Sequence, residues 1–292
     1  MRFSVLKTGL LLLMSAAIFT GCGRKAAVSD IVSVSILPQK YIVDELTGGA
    51  LDVNVMIPPG ASHGTYAPTS QQFQKLSDSK LYISIGHLGY EQAWIHRLKE
   101  LNPNMVELNW SEKTALIRGE VSCHGDHAHE GGVDPHIWMS PTVMLQLLPV
   151  TKSTLISSFP NLKDTIEANY SQLFVKLETT HQRLMEVSES LTNRSFLIFH
   201  PVLTYLARDY GFEQIPIEYD GKEPSPALLI KTIEYAKDKG IRVIFIQQEY
   251  DKRNAQLISE ETNTKMVQIN PLAYNWLESM NDIINKLQDN LK

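Results

Sequence analysis

Apolar positions along the chain follow two different periods that alternate from one segment to the next. Short runs rich in β-branched residues predict strands at 31–36, 51–57, 81–85 and 105–108, with helical spacing between them. The same alternation restarts at 195, with strands predicted at 195–199, 212–217, 241–246 and 266–269. Strands that alternate with helices at this spacing are typical of βαβ units, so the pattern predicts an α/β fold with parallel sheets.

One long helix is predicted between the two halves. Neither proline nor glycine interrupts the segment 163–191. Its apolar positions mostly fall three or four residues apart: Ile166, Tyr170, Leu173, Leu177, Leu184, Val187 and Leu191. A helix of this length spans about 40 Å, which is enough to connect two lobes, although a helical bundle is the alternative. We therefore expect an N-terminal α/β lobe (31–140), linking helices (141–193) and a C-terminal α/β lobe (194–292), each lobe with a parallel sheet flanked by helices.

The N-terminus has the pattern of an export signal. Arg2 and Lys7 precede an uncharged apolar run at 8–20 that is too short to span a bilayer comfortably. The segment 19–22 is similar to a bacterial lipobox, with Phe19 where leucine is usual. We predict a signal peptide at 1–21, lipidation of Cys22 and a tether at 22–30. The protein would then be exported and anchored to a bacterial membrane, facing the periplasm or the exterior. An ordinary cleaved signal with an incidental cysteine is the alternative.

Composition excludes some partners and some cross-links. The chain has 27 basic and 32 acidic side chains, so it carries no basic field for nucleic acid. It has only two cysteines, and if Cys22 is acylated then Cys123 has no partner for an intramolecular disulfide. We expect Cys123 to be a free thiol, with an extra soft metal ligand as the alternative.

The segment 122–141 contains four of the nine histidines. The glycines at 131 and 132 and the proline at 135 predict an exposed loop rather than a periodic element. Neutral imidazole is a common ligand of zinc, copper, nickel and iron. We predict that His124, His127 and His129 form an auxiliary loop that collects metal ions. A solvated polar loop without a ligand is the alternative.

Three histidines follow predicted strands in different parts of the chain. His63 comes soon after the second strand, His136 follows the last strand of the first half, and His200 ends the strand at 195–199. Ligands bind open parallel sheets beyond the carboxyl ends of the strands, so one metal site between the lobes is predicted. Three neutral imidazoles leave the charge of a divalent ion uncompensated. A carboxylate, a bound hydroxide or polar groups behind the ligands should therefore complete the site.

Five segments together carry a family resemblance. The segments 59–69, 134–141, 199–211, 245–250 and 268–272 resemble the metal-binding lipoproteins of bacterial zinc and manganese ABC importers, including the zinc-uptake binding proteins. The segment Asp134-Pro135-His136 is the most specific of them. The resemblance implies two α/β lobes with the metal in the cleft, and it implies His63, His136 and His200 as ligands. Histidine at the third position is typical of the zinc branch, whereas the manganese branch tends to carry glutamate there.

Three departures leave the ligand set incomplete. Gly64 stands where the family usually has its first histidine, so His63 must reach the site from the preceding position. Asn270 replaces a common aspartate, and Gln247 replaces a common glutamate. The fourth ligand stays open among water, Asn270 and a nearby carboxylate such as Glu249.

The leading hypothesis is a monomeric extracytoplasmic receptor, not an enzyme, that captures Zn²⁺ and delivers it to an ABC permease. A manganese or iron receptor of the same fold is disfavoured by the all-imidazole ligand set, because Mn²⁺ prefers carboxylate oxygens. A zinc hydrolase is disfavoured because the chain has no His-Glu-x-x-His motif and only Glu249 as a candidate general base. A surface adhesin, a label that family members sometimes carry, is a further hypothesis.

Overall fold

The first half of the chain folds around a parallel four-stranded sheet. The computed structural model describes residues 30–119, 122–124, 127–129, 132–218 and 224–292. The elements of the first half are β1 (Ile31–Val34), α1 (Leu37–Thr47), β2 (Asp52–Val55), α2 (Ser70–Ser77), β3 (Leu81–Ser84), α3 (Gly89–Leu101) and β4 (Val106–Asn109). The strands are ordered β2-β1-β3-β4, and all neighbours pair in parallel. The predicted signal peptide and Cys22 lie outside the described ranges. Within those ranges, no helix combines the length and apolar character needed to cross a bilayer.

The second half repeats the topology of the first. A short pair of strands, β5 (Ser122–His124) and β6 (His127–His129), and two helices, α4 (Pro141–Ser158) and α5 (Lys163–Ser190), precede it. Its elements are β7 (Ser195–Ile198), α6 (Thr204–Tyr210), β8 (Glu213–Pro216), α7 (Pro226–Lys239), β9 (Val243–Gln247), α8 (Arg253–Thr262), β10 (Lys265–Ile269) and α9 (Trp276–Asn290). Its strands are ordered β10-β9-β7-β8. Read from the β8 edge, this is the second, first, third and fourth strand of this half, which is the order of the first sheet. The predicted two-lobe α/β fold is confirmed.

The long helix α5 connects the lobes by burying one stripe. Its buried apolar residues recur at helical spacing: Ile166, Leu173, Leu177, Leu184 and Val187. Through this stripe α5 packs against α1 and α4 and also against α6 and α9 of the second half. The predicted long helix is therefore present, and it contacts both lobes along its length.

One apolar core continues through both lobes. Its largest buried cluster includes Val34 and Ile83 of the first sheet, Phe196 and Phe245 of the second sheet, and Leu177 of α5. A smaller cluster between the second sheet and the helices α7 and α8 completes the C-terminal lobe. Because the main core crosses from one lobe to the other, the domain boundaries expected from the sequence stay a prediction.

The histidine-rich segment differs from the predicted loop. Ser122 pairs with His129 and His124 pairs with His127 in an antiparallel ladder, and a bridge between Arg118 and Val133 lies at its base. The loop prediction is wrong for these strand residues. The residues between the two runs are glycine and aspartate, a pair typical of hairpin connections, so the local sequence signal for two paired strands is this pair and not the later glycines.

Candidate metal centre

Three imidazole nitrogens from distant parts of the sequence converge in the cleft. His63 Nε2 lies 2.7 Å from His136 Nε2, and His200 Nε2 lies 3.2 Å from each of them. A tetrahedral zinc ion with Zn–N bonds of about 2.0–2.1 Å separates its ligand nitrogens by about 3.3 Å. The two separations of 3.2 Å are close to this value and the separation of 2.7 Å is shorter, so three nitrogens are near enough to bind one small divalent ion. The structure brings the three predicted residues together, and their role as ligands stays a prediction.

Each histidine lies in a connection that leaves the carboxyl end of a strand. His63 lies between β2 and α2, and His200 lies between β7 and α6, shortly after the end of β7. His136 precedes a short 3-10 helix, Ile137–Met139, which leads into α4. Both sheets are parallel, so their carboxyl-end connections come together at one edge of each sheet. This explains how residues from both lobes meet.

Carboxylates contact the Nδ1 atoms of two of the three rings. Asp134 Oδ1 lies 2.8 Å from His136 Nδ1 and also accepts a hydrogen bond from the backbone N–H of His136 at 2.9 Å. Glu218 Oε1 lies 3.3 Å from His200 Nδ1, and Glu218 is buried. An acceptor at Nδ1 selects the tautomer whose Nε2 lone pair points towards the centre. Burial alone would raise the pKa of Asp134, but the proximity and hydrogen bonds of His136 lower it, so this carboxylate stays ionised.

The ring of His63 has no such support. Its Nδ1 is buried without a hydrogen-bond partner among the parts of the chain that the structure describes. Burial, followed by the proximity of His136 and His200, lowers the pKa of His63 well below its usual value. Burial also lowers the pKa of His200, although Glu218 opposes this effect. Both rings are therefore neutral near pH 7, which is the form that binds a metal ion.

Gln247 fixes the backbone at His200. Its Nε2 donates a hydrogen bond to the carbonyl oxygen of His200 at 2.8 Å, and its Oε1 accepts from the backbone N–H of His200 at 3.4 Å. The side chain is fully buried at the end of β9. The sequence marked Gln247 only as a departure from a common glutamate. Its position at the end of a buried strand was the available signal for a structural role.

Comparison with known proteins identifies the family. The family model described as zinc-uptake complex component A, periplasmic, matches residues 32–290. The chain belongs to this family. Its members are binding components of zinc uptake rather than enzymes, so the expectation of a protein that is not an enzyme is confirmed.

Individual relatives of the zinc-uptake family agree in sequence and in structure. The chain is 26% identical over 282 residues to the zinc-binding lipoprotein AdcA of Streptococcus pneumoniae. The matched region covers 91% of this chain and 55% of AdcA. The chain thus spans about half the length of that relative. A crystal structure of ZnuA is 30% identical and superimposes with a TM-score of 0.82, covering 90% of this chain and 100% of ZnuA.

A structure described as an adhesin with metal-transporting activity shares the fold. The laminin-binding protein of Streptococcus agalactiae superimposes with a TM-score of 0.77 at 21% identity, covering 90% of this chain and 99% of that protein. At this identity the likeness shows the fold alone.

The cluster of three histidines does not identify the fourth ligand. Among the residues that the structure describes, His63, His136 and His200 are the one group of three or more histidine, cysteine or acidic side chains with ligand atoms within 4.8 Å of one another. Glu249 lies outside this group, and burial raises its pKa. Asn270 follows β10, where its backbone carbonyl accepts a hydrogen bond from Ser279. Asn270, Glu249 or water as the fourth ligand stays a prediction, as does the auxiliary role of His124, His127 and His129, whose backbone alone is described.

Buried hydrogen bonds join the two lobes beside the centre. Trp138 Nε1 donates to the carbonyl oxygen of Pro271 at 2.9 Å, and Trp276 Nε1 donates to the carbonyl oxygen of Trp138 at 2.7 Å. The hydroxyl of Tyr205 donates to the carbonyl oxygen of Asp134 at 2.8 Å. These contacts fix the segment that carries His136 against the C-terminal lobe.

Proposed function

We propose that this protein is the zinc-binding component of an uptake system and delivers Zn²⁺ to an ABC permease. The observation that carries the proposal is the convergence of the Nε2 atoms of His63, His136 and His200 at distances suited to one tetrahedral ion. Membership of the zinc-uptake family and similarity to a zinc-binding lipoprotein support the choice of zinc as the transported ion.

The surroundings of the three rings supply the charge that neutral imidazoles lack. Asp134 and Glu218 place two carboxylates at the outer nitrogens of His136 and His200, where they balance the two positive charges of the ion. An all-nitrogen ligand set favours zinc over manganese, because Mn²⁺ prefers oxygen ligands. Membership of the zinc-uptake family supports binding rather than hydrolysis as the role of this site.

We also propose that the protein works outside the cytoplasm as a lipid-anchored monomer. The proposal rests on the export signal and on Cys22 in the sequence, and the relative AdcA carries the description lipoprotein. Attachment is tested by metabolic labelling with a palmitate analogue in the native host and in a Cys22→Ser variant. Loss of the label in the variant is expected, and equal labelling of both proteins would exclude Cys22 as the anchor.

Metal titration tests the main proposal. The purified protein is stripped with a chelator and titrated with Zn²⁺ and with Mn²⁺, alongside His136→Ala, His200→Ala and the control His96→Ala, which changes an exposed histidine. One tight zinc site is expected, with much weaker manganese binding and loss of the site in the first two variants only. Tight zinc binding that survives both substitutions would show that the site lies elsewhere. A preference for manganese would overturn the choice of metal.

The histidine hairpin is tested separately. We propose that His124, His127 and His129 raise the local concentration of zinc near the cleft. Deletion of 123–130 should lower uptake when zinc is scarce and leave the single tight site unchanged. Uptake equal to that of the unmodified protein at scarce zinc would contradict this auxiliary role.

A further inference from the structure

The backbone ladder at the base of the β5–β6 hairpin is incomplete beside the metal centre. Beyond the bridge between Arg118 and Val133, the next facing residues are Ile117 and Asp134. The N–H of Asp134 donates to the carbonyl oxygen of Ile117 at 2.9 Å. In a regular antiparallel ladder such a pair exchanges two hydrogen bonds, so the N–H of Ile117 would donate to the carbonyl oxygen of Asp134. That second bond is replaced by a side chain from the C-terminal lobe, Tyr205.

The hydroxyl of Tyr205 is inserted between these two backbone groups. Its oxygen accepts a hydrogen bond from the N–H of Ile117 at 3.1 Å, and its O–H donates to the carbonyl oxygen of Asp134 at 2.8 Å. Tyr205 lies on α6 and is fully buried. The guanidinium group of Arg208, three residues further along α6, lies 4.9 Å from the centre of the tyrosine ring and donates to the carbonyl oxygen of Ala115 at 3.0 Å. The ring is therefore held by a cation–π contact and its hydroxyl by two hydrogen bonds.

This hydroxyl connects the segment that carries one histidine with the lobe that carries another. Hydrogen bonds to Ile117 and to Tyr205 hold the backbone of Asp134 in place. The carboxylate of Asp134 contacts the backbone N–H and the Nδ1 atom of His136. The helix that carries Tyr205 follows the loop that carries His200. A change at Tyr205 therefore moves the support of His136 relative to His200.

We propose that Tyr205 is a positioning residue of the zinc centre, whose inserted hydroxyl sets the place of the Asp134 carboxylate and, through it, the ring of His136. This inference rests on the proposed zinc-binding function. Loss of the hydroxyl leaves the N–H of Ile117 and the carbonyl oxygen of Asp134 either unpaired or bonded directly to each other. Both arrangements release Asp134 from α6 and weaken the support of His136. Zinc affinity should therefore fall while one ion is still bound.

Competition with a chelator of known zinc affinity tests this role in the purified protein. Tyr205→Phe should weaken zinc binding about three- to tenfold, as expected for the loss of one hydrogen bond that supports a ligand. The matched control is Tyr210→Phe, on the same helix, whose buried hydroxyl contacts Thr142 of α4 and His181 of α5. This control should leave zinc affinity within about twofold of the unmodified protein. Affinity of Tyr205→Phe within the same limit, or equal losses in the two variants, would overturn the positioning role.

Double variants show whether Tyr205 acts through Asp134. In an Asp134→Ala background the carboxylate that contacts His136 is already absent, so Tyr205→Phe should cause no further loss of zinc affinity. In a Glu218→Gln background, which alters the support of His200, Tyr205→Phe should cause its full three- to tenfold loss. Losses of equal size in the two backgrounds would overturn the proposal, because they would indicate a general effect on the fold.

Two further measurements keep the outcomes distinct. If Tyr205→Phe does not fold, Arg208→Ala replaces it, since this change keeps the hydroxyl and removes the cation–π contact that holds the ring. A loss of zinc affinity of more than about twofold in Arg208→Ala would then support the positioning role, and a smaller loss would overturn it. Absence of a tight zinc site in the unmodified protein would reject the proposed function. Retention of that site with unchanged affinity in Tyr205→Phe would reject the positioning role alone.

Discussion

The carboxylate behind His200 offers a direct test of how the centre balances charge. In Glu218→Gln the amide oxygen can still accept the hydrogen bond from His200 Nδ1, so the substitution removes the negative charge and keeps the shape. Glu218 is buried and lies 3.3 Å from that nitrogen. We expect zinc affinity to fall by about 10- to 100-fold, which is the usual effect of losing a group that supports a metal ligand.

The geometry gives an upper limit for this effect. The carboxylate lies about 7 Å from the ion when the width of the imidazole ring and a Zn–N bond of about 2.1 Å are added to the hydrogen bond. One negative charge at this distance attracts a divalent ion by roughly 5 kcal/mol at an effective dielectric constant of about 20. The second carboxylate, Asp134, which contacts His136, reduces the net loss. A 10- to 100-fold change corresponds to about 1.4–2.7 kcal/mol, which lies below this limit.

Two measurements separate charge from folding. Competition with a chelator of known affinity gives the zinc dissociation constant, and thermal unfolding with and without buffered zinc gives the stabilisation by the ion. At a fixed free zinc concentration well above both dissociation constants, that stabilisation should fall by the same free energy as the affinity. The metal-free variant should be at least as stable as the unmodified protein, because it no longer buries this charge.

The matched control is Glu213→Gln, which neutralises an exposed carboxylate on β8 of the same lobe. It should bind zinc as tightly as the unmodified protein. A Glu218→Gln variant whose affinity stays within twofold would refute the argument. So would a loss of affinity matched by an equal loss of stability in the metal-free protein, since this would indicate damage to the fold.

Three further predictions concern the supports of the centre. Gln247→Ala frees the backbone at His200 and should weaken zinc binding about tenfold in the same competition assay, whereas retained affinity would show that Gln247 is dispensable. The pKa values of His63 and His200 in the folded protein lie below the unfolded value of about 6.5, so the metal-free protein should keep its stability above that pH and lose it as the pH falls further. Denaturant unfolding at pH 7.5 and 5.5 measures this change. A higher free energy of unfolding at pH 5.5 than at pH 7.5 would contradict the prediction. Trp138→Phe leaves the carbonyl of Pro271 without its donor and should lower the free energy of unfolding by about 1–3 kcal/mol, measured by denaturant titration; an unchanged value would show that this contact between the lobes adds no stability.

Apart from the β5–β6 hairpin, the order and type of the main strands and helices were determined by the sequence alone. The alternating run at 31–36 became β1, the continuous apolar run at 195–199 became β7, and the uninterrupted apolar stripe from Ile166 to Val187 became α5. These signals are local, because each depends on residues within a few positions of one another. The positions of His63, His136 and His200 after strands also predicted their meeting, since parallel sheets place such connections at one edge.

Only the tertiary structure decided what surrounds those histidines. Glu218, Gln247 and Tyr205 lie far along the chain from His63, and no periodicity or spacing announces that they converge around the same centre. The continuous core between the lobes likewise depends on packing between distant elements. Contacts of this kind are set by how the sheets and helices pack in three dimensions. The sequence could therefore name the three histidines, while the groups that orient them became visible only in the fold.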